Sequence, residues 1–393
     1  MKILQVEDFF HPEAGYQINI LSKYMTKMGH EVTIITSEMD KIPMSLTSFF
    51  GKDDIASKDE KYMKTYGVKI IRLPLLAFIS GRAVFKGRAL FRTIQNEKPD
   101  VVFIHGNDTL TGMRYLMKYK KLRYPLVMDS HMLAMASQNK LNKAFRRIYR
   151  YIFTPILIRE NIPVIRTQDD SYVERCLGVP LLQAPWISVG SDTMIFHPDT
   201  KAKKTFREEH GIGEEAFVVL YAGKLNEEKG GKLLAEAFKK KFHTEKAVVL
   251  IVVGNTSGEY GKEIEAIFAE SENRILRFPT QKYCDLPRYY QMADLSVFPR
   301  QCSLSFYDVQ ACGLPVVSED NNINLERCSH HNGLNFKADD VNDFRKKIEY
   351  FINLSDTEYA EYANNAKNEV LDKYNYADIA KQYLEILQSA KLK

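Results

Sequence analysis

ADLSVFPRQCSLSFYDVQACGLPVV, residues 293–317, carries the clearest structural signals of this chain. The pattern predicts a buried strand over 295–298, a polar loop over 300–305, a short helix over 306–312 and a buried strand over 315–317. Gly313 stands where the helix must end, and Pro315 cannot continue a helix. A strand that leads through a loop into a helix places N–H groups and the helix dipole where open α/β sheets bind phosphorylated ligands.

An ordinary βαβ unit with a polar loop would have the same pattern. Ser303, Ser305 and Asp308 surround one predicted helix start, which favours a binding loop.

The composition is that of a globular protein without a membrane-spanning segment. The chain has 393 residues, 45% hydrophobic and 27% charged, which suits two domains. No apolar run approaches the ~20 residues of a transmembrane helix, and Glu7 and Asp8 come too early for a secretory signal. Five cysteines without paired metal spacing predict thiols in a reducing cytoplasm. A net charge of +5 fits an anionic ligand or membrane face and is too small to indicate nucleic acid.

Strand and helix patterns alternate along the chain and predict parallel sheets covered by helices. In the first half, strands are expected over 2–6, 31–36, 68–73, 99–105, 126–129, 163–166 and 181–189, with a helix over 17–28. Residues 40–66 have no clear period and are predicted to be an irregular, mobile insertion.

The best domain boundary is residues 190–207, which contain Pro198 and clustered lysines without a sustained apolar period. Beyond it we expect strands over 217–221, 247–253 and 275–278, a helix over 232–241, and a continuous amphipathic helix over 356–392. Two α/β domains of similar size suggest a ligand held in the cleft between them.

Five motifs follow one another along the chain. They are Pro12-Glu13-Ala14-Gly15, Met28-Gly29-His30-Glu31-Val32, Gly190-Ser191-Asp192 with Phe196-His197-Pro198, Gly223-Lys224 with Glu228-Lys229-Gly230, and Ala311-Cys312-Gly313-Leu314-Pro315-Val316-Val317. In this order they resemble the retaining glycosyltransferases of family 4, which have the two-domain GT-B architecture, and the resemblance covers nearly the whole chain.

The resemblance implies an α/β protein with two Rossmann-like domains facing across a cleft. Residues 1–190 would bind the acceptor, residues 191–372 would bind a UDP- or GDP-sugar, and a helix over 373–393 would return to the first domain. It also implies donor-binding, acceptor-side and catalytic residues. The donor-binding set is Gly15, Gly223, Lys224, Lys229, Gly254, Phe278, Ser303, Leu304, Ser305 and Asp308, and the acceptor-side set is Glu13, Ala14, His105 and Asp129. The catalytic set is His131, Lys224 and Lys229.

The two lysines suit a diphosphate leaving group, because fixed cations stabilise its developing negative charge. Lysines in a charged loop more often form only a solvated surface. Lys224 stands where the family usually has Arg. Lysine keeps the positive charge but lacks the guanidinium group that can donate two parallel hydrogen bonds to a phosphate.

His131 follows Asp129 at a strand end, where a histidine is often purely structural. The resemblance implies that it contacts the transferred sugar. The chain has no Asp-x-Asp pair, so we expect no cofactor and no metal, with lysines in place of the cation.

The family's central loop and helix carry two glutamates, which fall here on Arg300 and Asp308. Asp308 retains a carboxylate for the ribose hydroxyls, whereas Arg300 reverses the charge. A nucleotide-sugar-binding relative without activity therefore remains an alternative.

Residues 140–153 place Leu141, Phe145, Ile148 and Ile152 on one helical face. Basic residues spread along the rest, namely Lys140, Lys143, Arg146, Arg147 and Arg150. Such a helix can lie on an anionic membrane or pack on its own domain.

We therefore expect a cytoplasmic, metal-independent glycosyltransferase, associated with the membrane if the basic helix lies on it. It would transfer a sugar with retention to a carbohydrate or lipid-linked acceptor, in the biosynthesis of a bacterial surface polysaccharide or glycolipid. An epimerase of the same architecture and a silent partner subunit are the alternatives.

Overall fold

The computed structural model describes residues 1–43, 47, 51, 53–79, 81–133 and 141–392. The chain forms two compact units, and each is described here by itself. Unit 1 comprises Met1–Val189 and Tyr376–Lys393, and unit 2 comprises Gly190–Asn375. Each unit contains a six-stranded sheet in which every strand pair is parallel, so the predicted α/β class with two Rossmann-like domains is confirmed.

The sheet of unit 1 has the strand order β3-β2-β1-β6-β7-β8. Its strands are β1 (Lys2–Val6), β2 (Glu31–Ser37), β3 (Lys69–Leu73), β6 (Val101–Ile104), β7 (Leu126–Ser130) and β8 (Val164–Arg166). A separate antiparallel hairpin joins β4 (Leu75–Ile79) and β5 (Arg82–Phe85).

The sheet of unit 2 has the equivalent order β11-β10-β9-β12-β13-β14. Its strands are β9 (Phe217–Ala222), β10 (Val248–Val253), β11 (Arg274–Phe278), β12 (Leu295–Phe298), β13 (Val316–Glu319) and β14 (Gly333–Phe336). The strand predicted over 295–298 is confirmed as β12, and Gly313 follows the short helix with a φ of 79°.

The helices alternate with these strands. Unit 1 has α1 (Gln17–Lys27), α2 (Ile55–Tyr66), α3 (Ala89–Glu97), α4 (Leu110–Leu116), α5 (Tyr119–Leu122), α6 (Asn142–Ile148) and α7 (Thr154–Glu160). Unit 2 has α8 (Thr200–Glu209), α9 (Gly231–Ala237), α10 (Gly258–Ala269), α11 (Pro287–Gln291), α12 (Phe306–Ala311), α13 (Asn322–Arg327), α14 (Val341–Ile352) and α15 (Asp356–Lys373), and α16 (Tyr376–Ser389) belongs to unit 1.

Each sheet has one point at which the strand order reverses. In unit 1 it lies between β1 and β6, and in unit 2 between β9 and β12. Connections leave such a pair toward opposite sides, which opens a crevice at the carboxyl ends of the two strands. Apolar, fully buried strands such as β10 fix the sheet in the core, so the polar residues that follow the strands lie at the edge.

The prediction of an irregular insertion over 40–66 was wrong for its second half, which forms α2. Tyr62 packs edge-on against Phe10 and donates a hydrogen bond to the carbonyl of Asn19, 2.7 Å away. Asp59 forms a bidentate pair with Arg72 on β3. Tertiary contacts thus stabilise this helix, which has too few apolar residues to show a helical period in the sequence.

Three further predictions need correction. Residues 181–189 do not form a strand but a 3₁₀ turn (Leu181–Gln183) and an isolated bridge from Arg166 to Trp186. The boundary stretch 190–207 contains most of α8, capped by Asp199. The predicted single helix over 356–392 is broken between α15 and α16, where the chain passes from unit 2 to unit 1. There Gln17 on α1 donates to the hydroxyl of Tyr383 on α16, at 2.7 Å.

The basic segment is helical, but its predicted apolar face is divided. Helix α6 continues through a π-helical turn (Tyr149–Phe153) into α7. Phe145 packs against the core, whereas Leu141, Ile148 and Ile152 are exposed. Lys140 lies outside the described residues. Among the helices that the structure describes, none is both long and apolar enough to cross a membrane.

Candidate functional site

The reversal point of unit 1 is occupied by a buried hydrogen-bonded cluster. Asp129, at the end of β7, is fully buried and lies 2.7 Å from Nδ1 of His105 and 3.2 Å from Nε2 of His131. Its other oxygen accepts a hydrogen bond from the N–H of Gly106 at 2.7 Å. Nε2 of His105 lies 2.8 Å from the side-chain oxygen of Gln5 on β1. The structure therefore brings together His131 of the predicted catalytic set and His105 and Asp129 of the predicted acceptor-side set.

This arrangement favours the protonated form of His131. Burial by itself would raise the pKa of Asp129, but His131 and His105 outweigh it and hold that pKa below its ordinary range. Burial opposes a charge on His131, yet Asp129 raises its pKa above the ordinary value. The His131 side chain is 40% exposed, so it can contact a ligand.

His105, Asp129 and His131 also have the residue types of a metal site, and their nearest ligand atoms lie within 4.8 Å of one another. Both nitrogens of His105 are already at hydrogen-bond distance from Asp129 and Gln5. A metal ion would have to displace these contacts, so the geometry favours a hydrogen-bonded network.

The predicted glycine-rich loop lies between β1 and α1. The N–H of Glu13 donates to Nδ1 of His11 at 3.2 Å, and its carboxylate lies 3.5 Å from the ammonium group of Lys58 on α2. Ala14 is buried, and its N–H donates to the carbonyl of His11. Gly15 is partly exposed immediately before α1.

In unit 2, two glycines allow the ends of β9 and β10 to approach closely. A Cβ atom on Gly254 would lie 2.0 Å from the carbonyl oxygen of Gly223, so no other residue fits without a shift of the backbone. The N–H of Gly254 donates to the carbonyl of Phe278 at 2.9 Å.

A cavity of about 420 Å³ lies beside these strand ends. Gly254, Asn255, Arg277 and Phe278 line it. The ring of Phe278 packs edge-on against Tyr289. The volume of the cavity suits a planar ring such as a nucleobase.

Both predicted lysines lie at the edge of the unit 2 sheet. Lys224 is exposed after β9, and Lys229 ends a 3₁₀ turn that Asn226 caps. The ammonium group of Lys229 donates to the carbonyl of Cys302 at 3.1 Å. Burial lowers the pKa of Lys229, and the charge of Lys224 acts in the same direction. The two cations are therefore near each other and beside the loop that follows β12.

Side chains hold the carbonyl groups of that loop. Besides the contact from Lys229, Arg327 donates to the carbonyl of Ser303 at 2.9 Å and Asn324 donates to that of Gln301 at 3.1 Å. The N–H of Ser305 is bound by the hydroxyl of Ser303, and no side chain caps α12 within the described part of the chain. The first turn of α12, next to Leu304, thus retains N–H groups that can bind an anion.

Arg300 connects two segments of unit 2. Its guanidinium pairs with Asp339, with Nε 2.9 Å from the carboxylate, and donates to the carbonyl of Glu227 at 2.9 Å. The charge that departs from the family pattern is therefore paired, and it anchors the turn that carries Lys229.

Asp308 is buried, whereas a residue that binds a ligand at the surface would be exposed. It is 6% exposed, and burial raises its pKa to about 8, with Ser191 opposing the shift and Asp192 adding to it. Its Oδ1 atom has no hydrogen-bond partner among the described residues. The predicted ribose contact stays a prediction, and Oδ1 is the atom that would accept it.

Sequence reasoning missed Glu7, which lies in the unit 1 cluster directly after β1. Burial raises the pKa of Glu7 to about 7, His105 opposes that shift, and Asp8 adds to it. The available signal was a carboxylate directly after a buried strand, a position that parallel sheets use for binding.

Comparisons with known proteins agree with this architecture. The family model described as "Glycosyl transferases group 1" matches residues 202–369, and "Glycosyltransferase Family 4" matches residues 14–159. A D-inositol 3-phosphate glycosyltransferase of Segniliparus rotundus is 26% identical over 227 residues, 55% of this chain and 50% of that protein. A lipopolysaccharide 1,2-N-acetylglucosaminetransferase of Salmonella typhimurium is 26% identical over 200 residues, 47% of this chain and 51% of that protein. The chain thus matches about half the length of these curated relatives.

A solved structure extends the likeness to the whole chain. Anabaena HepE, in complex with UDP and glucose, aligns with a TM-score of 0.74 over 99% of this chain and 100% of that chain, at 18% identity. At this identity the likeness shows the fold, which is GT-B. With both halves matched by their family models, the chain belongs to the family 4, group 1 glycosyltransferases.

Proposed function

We propose that this protein is a retaining glycosyltransferase that transfers a sugar from a nucleoside-diphosphate sugar to a carbohydrate or lipid-linked acceptor. The observation that carries the proposal is the edge of unit 2, where Lys224, Lys229 and the uncapped start of α12 surround the reversal point of the sheet. Cations and N–H groups in that arrangement suit a diphosphate. The complex of Anabaena HepE with UDP and glucose supports a UDP-sugar donor, with a GDP-sugar as the alternative.

On the donor side, the cleavage of the sugar–phosphate bond leaves negative charge on the diphosphate. Lys224 and Lys229 stabilise that charge without a metal ion, and the carbonyl of Cys302 holds Lys229 in place before the reaction. The cavity beside Gly254 and Phe278 accommodates the base. Asp308 binds the ribose through its unpartnered oxygen.

On the acceptor side, unit 1 supplies the hydrogen-bonded cluster. The partly exposed His131 contacts the transferred sugar, and Asp129 and His105 orient its ring. The hydroxyl of the acceptor attacks the face from which the diphosphate leaves, and the diphosphate takes its proton. This front-face substitution retains the configuration of the sugar.

The names of the relatives support a place in glycolipid or surface polysaccharide biosynthesis, since one acts on lipopolysaccharide and another on an inositol phosphate. The surface of unit 1 is consistent with a lipid-linked acceptor. Ile148, Tyr151 and Ile152 are 53%, 75% and 46% exposed around the π-helical turn. Exposed basic residues flank them, including Arg147. Apolar and basic side chains together suit an anionic membrane on the cytoplasmic face.

A donor panel tests the proposal. UDP-glucose, UDP-N-acetylglucosamine, UDP-galactose and GDP-mannose are each incubated with the protein, with and without octyl β-D-glucopyranoside and a lipid extract as acceptors. We expect acceptor-dependent release of the nucleoside diphosphate from one donor. An epimerase would convert the donor to its epimer without release, and a silent subunit would bind the nucleotide without turnover.

A further inference from the structure

The carboxylate of Glu7 occupies the reversal point of the unit 1 sheet. The N–H of Glu7 donates to the carbonyl of Ile35 on β2, and the N–H of His105 donates to that of Val6, each at 3.0 Å. The backbone around Glu7 is therefore held from both neighbouring strands. Its side chain begins where β1 and β6 end, at the crevice in which open α/β sheets bind ligands.

Both oxygens of each neighbouring carboxylate already accept a hydrogen bond from the protein. Asp8 accepts one hydrogen bond from the hydroxyl of Thr111 at 2.6 Å and another from the N–H of Ala83 at 3.0 Å. Both oxygens of Asp129 are bound by His105, His131 and Gly106.

Glu7 differs from both neighbouring carboxylates. Within the described part of the chain its carboxylate forms no hydrogen bond and no ion pair, although it is partly buried in a polar cluster. A carboxylate in such surroundings gains from any hydroxyl that donates to it, since an unmade hydrogen bond is costly there.

Burial and the neighbouring carboxylates oppose the ionisation of Glu7, whereas His105 and His131 favour it. Burial raises the pKa of Glu7 to about 7, so near neutral pH a small change of surroundings alters its charge. The titratable groups that face it are His105, Asp8, Asp129, His131 and Tyr16.

We propose that Glu7 binds the acceptor, by accepting a hydrogen bond from a hydroxyl next to the one that reacts. The inference rests on the proposed function and adds a residue that determines which acceptor is used. A site built to bind a hydroxyl strongly rejects an analogue that lacks it, because the carboxylate is then left unpaired. Glu7 forms no covalent bond, and the proton of the reacting hydroxyl still leaves with the diphosphate.

The test compares wild type, Glu7→Gln and Glu7→Asp, with octyl β-D-glucopyranoside as the acceptor probe and the donor that the panel identifies. We expect Glu7→Gln to lower kcat/KM for the acceptor about 10- to 100-fold, as for a hydrogen bond to a charged group. The Kd for UDP should not change, because UDP binding is assigned to unit 2. Glu7→Asp should recover part of the loss, because it keeps the charge.

The pH profile separates this role from a structural one. In the wild type, kcat/KM for the acceptor should rise through pH 7 as Glu7 ionises, and Glu7→Gln should lose that rise. Glu31→Gln, exposed at the opposite end of β2, serves as the matched control. Melting temperatures confirm that each variant folds.

An unchanged acceptor kcat/KM in a folded Glu7→Gln variant would overturn the inference, as would an equal loss of UDP affinity. If the wild type itself transfers no sugar from any donor of the panel, the proposed function fails first, and the inference fails with it.

Discussion

Lys229 has a structural and a proposed binding role at the same time. Its ammonium group holds the carbonyl of Cys302, so its removal loosens the loop after β12 as well as removing a charge. Lys224 is exposed and carries only the charge. Comparing the two substitutions separates the contribution of the charge from that of the loop.

We expect Lys224→Ala and Lys229→Ala each to weaken the binding of UDP about 10- to 100-fold, as for a charge-assisted contact. Only Lys229→Ala should also lower the melting temperature. Isothermal calorimetry and thermal unfolding measure the two effects. Lys232→Ala removes a surface pair with Glu263 and is the control. Unchanged UDP affinity in both variants would remove the lysines from the site.

Asp308 gives a prediction for stability. Burial raises its pKa to about 8 in the folded protein, against 3.8 for the ordinary value. Between these pH values the folded state holds a proton that the unfolded state has lost, so stability falls as the pH rises from about 4 to 8 and then levels off.

Asp308→Asn should therefore raise the free energy of unfolding at pH 8 by at least about 1 kcal/mol, the equivalent of less than one pKa unit. The decrease in the free energy of unfolding between pH 4 and pH 8 should become smaller in this variant. Urea unfolding across that range measures both, with the exposed Asp372→Asn as control. A lower stability at pH 8 would show that the ionised carboxylate has a partner. A parallel calorimetric titration of the donor tests the ribose contact, since its loss should weaken binding.

At the scale of elements, the sequence pattern of the basic segment predicts its helix but not which face of that helix is buried. The period of 140–153 predicts a helix, and the structure has one, but a π-helical turn shifts the faces. Tyr149 is fully buried, and Phe145 and Phe153, four residues to either side, pack against the same core, whereas Ile148 and Ile152 of the predicted face are exposed.

The same limit applies to α2 and to residues 181–189. Helix α2 is stabilised by Tyr62 and by the pair of Asp59 with Arg72, which join residues distant in the sequence. By contrast, β12 and the end of α12 follow from local signals, namely an apolar run and Gly313. Contacts between distant residues also explain why the tether of Arg300 to Asp339 could not be predicted.

The exposed apolar residues of the basic segment predict membrane binding. Ile148→Ser, Tyr151→Ser and Ile152→Ser together should lower retention on vesicles that contain phosphatidylglycerol, because apolar area that would enter the membrane is lost. Wild-type retention should fall as salt is added. Vesicle sedimentation measures both effects. Leu371→Ser, at an exposed position on α15, is the control. Equal retention of the triple variant and the wild type would contradict the membrane surface.

The whole molecule repeats one architectural plan. Both units have the same strand order with a central reversal, and each places polar groups there, cations in unit 2 and carboxylates with histidines in unit 1. This division matches a reaction in which one unit binds an anionic donor and the other binds hydroxyl groups.

The configuration of the product tests the central claim of retaining transfer most directly. With an α-linked UDP-sugar and an accepted glycan, proton NMR of the product should show an α linkage at the transferred sugar. The rate should not change when EDTA is added, because the proposal assigns the stabilisation of the leaving diphosphate to Lys224 and Lys229. A β-linked product, or activity lost with EDTA and restored by a divalent cation, would contradict the account.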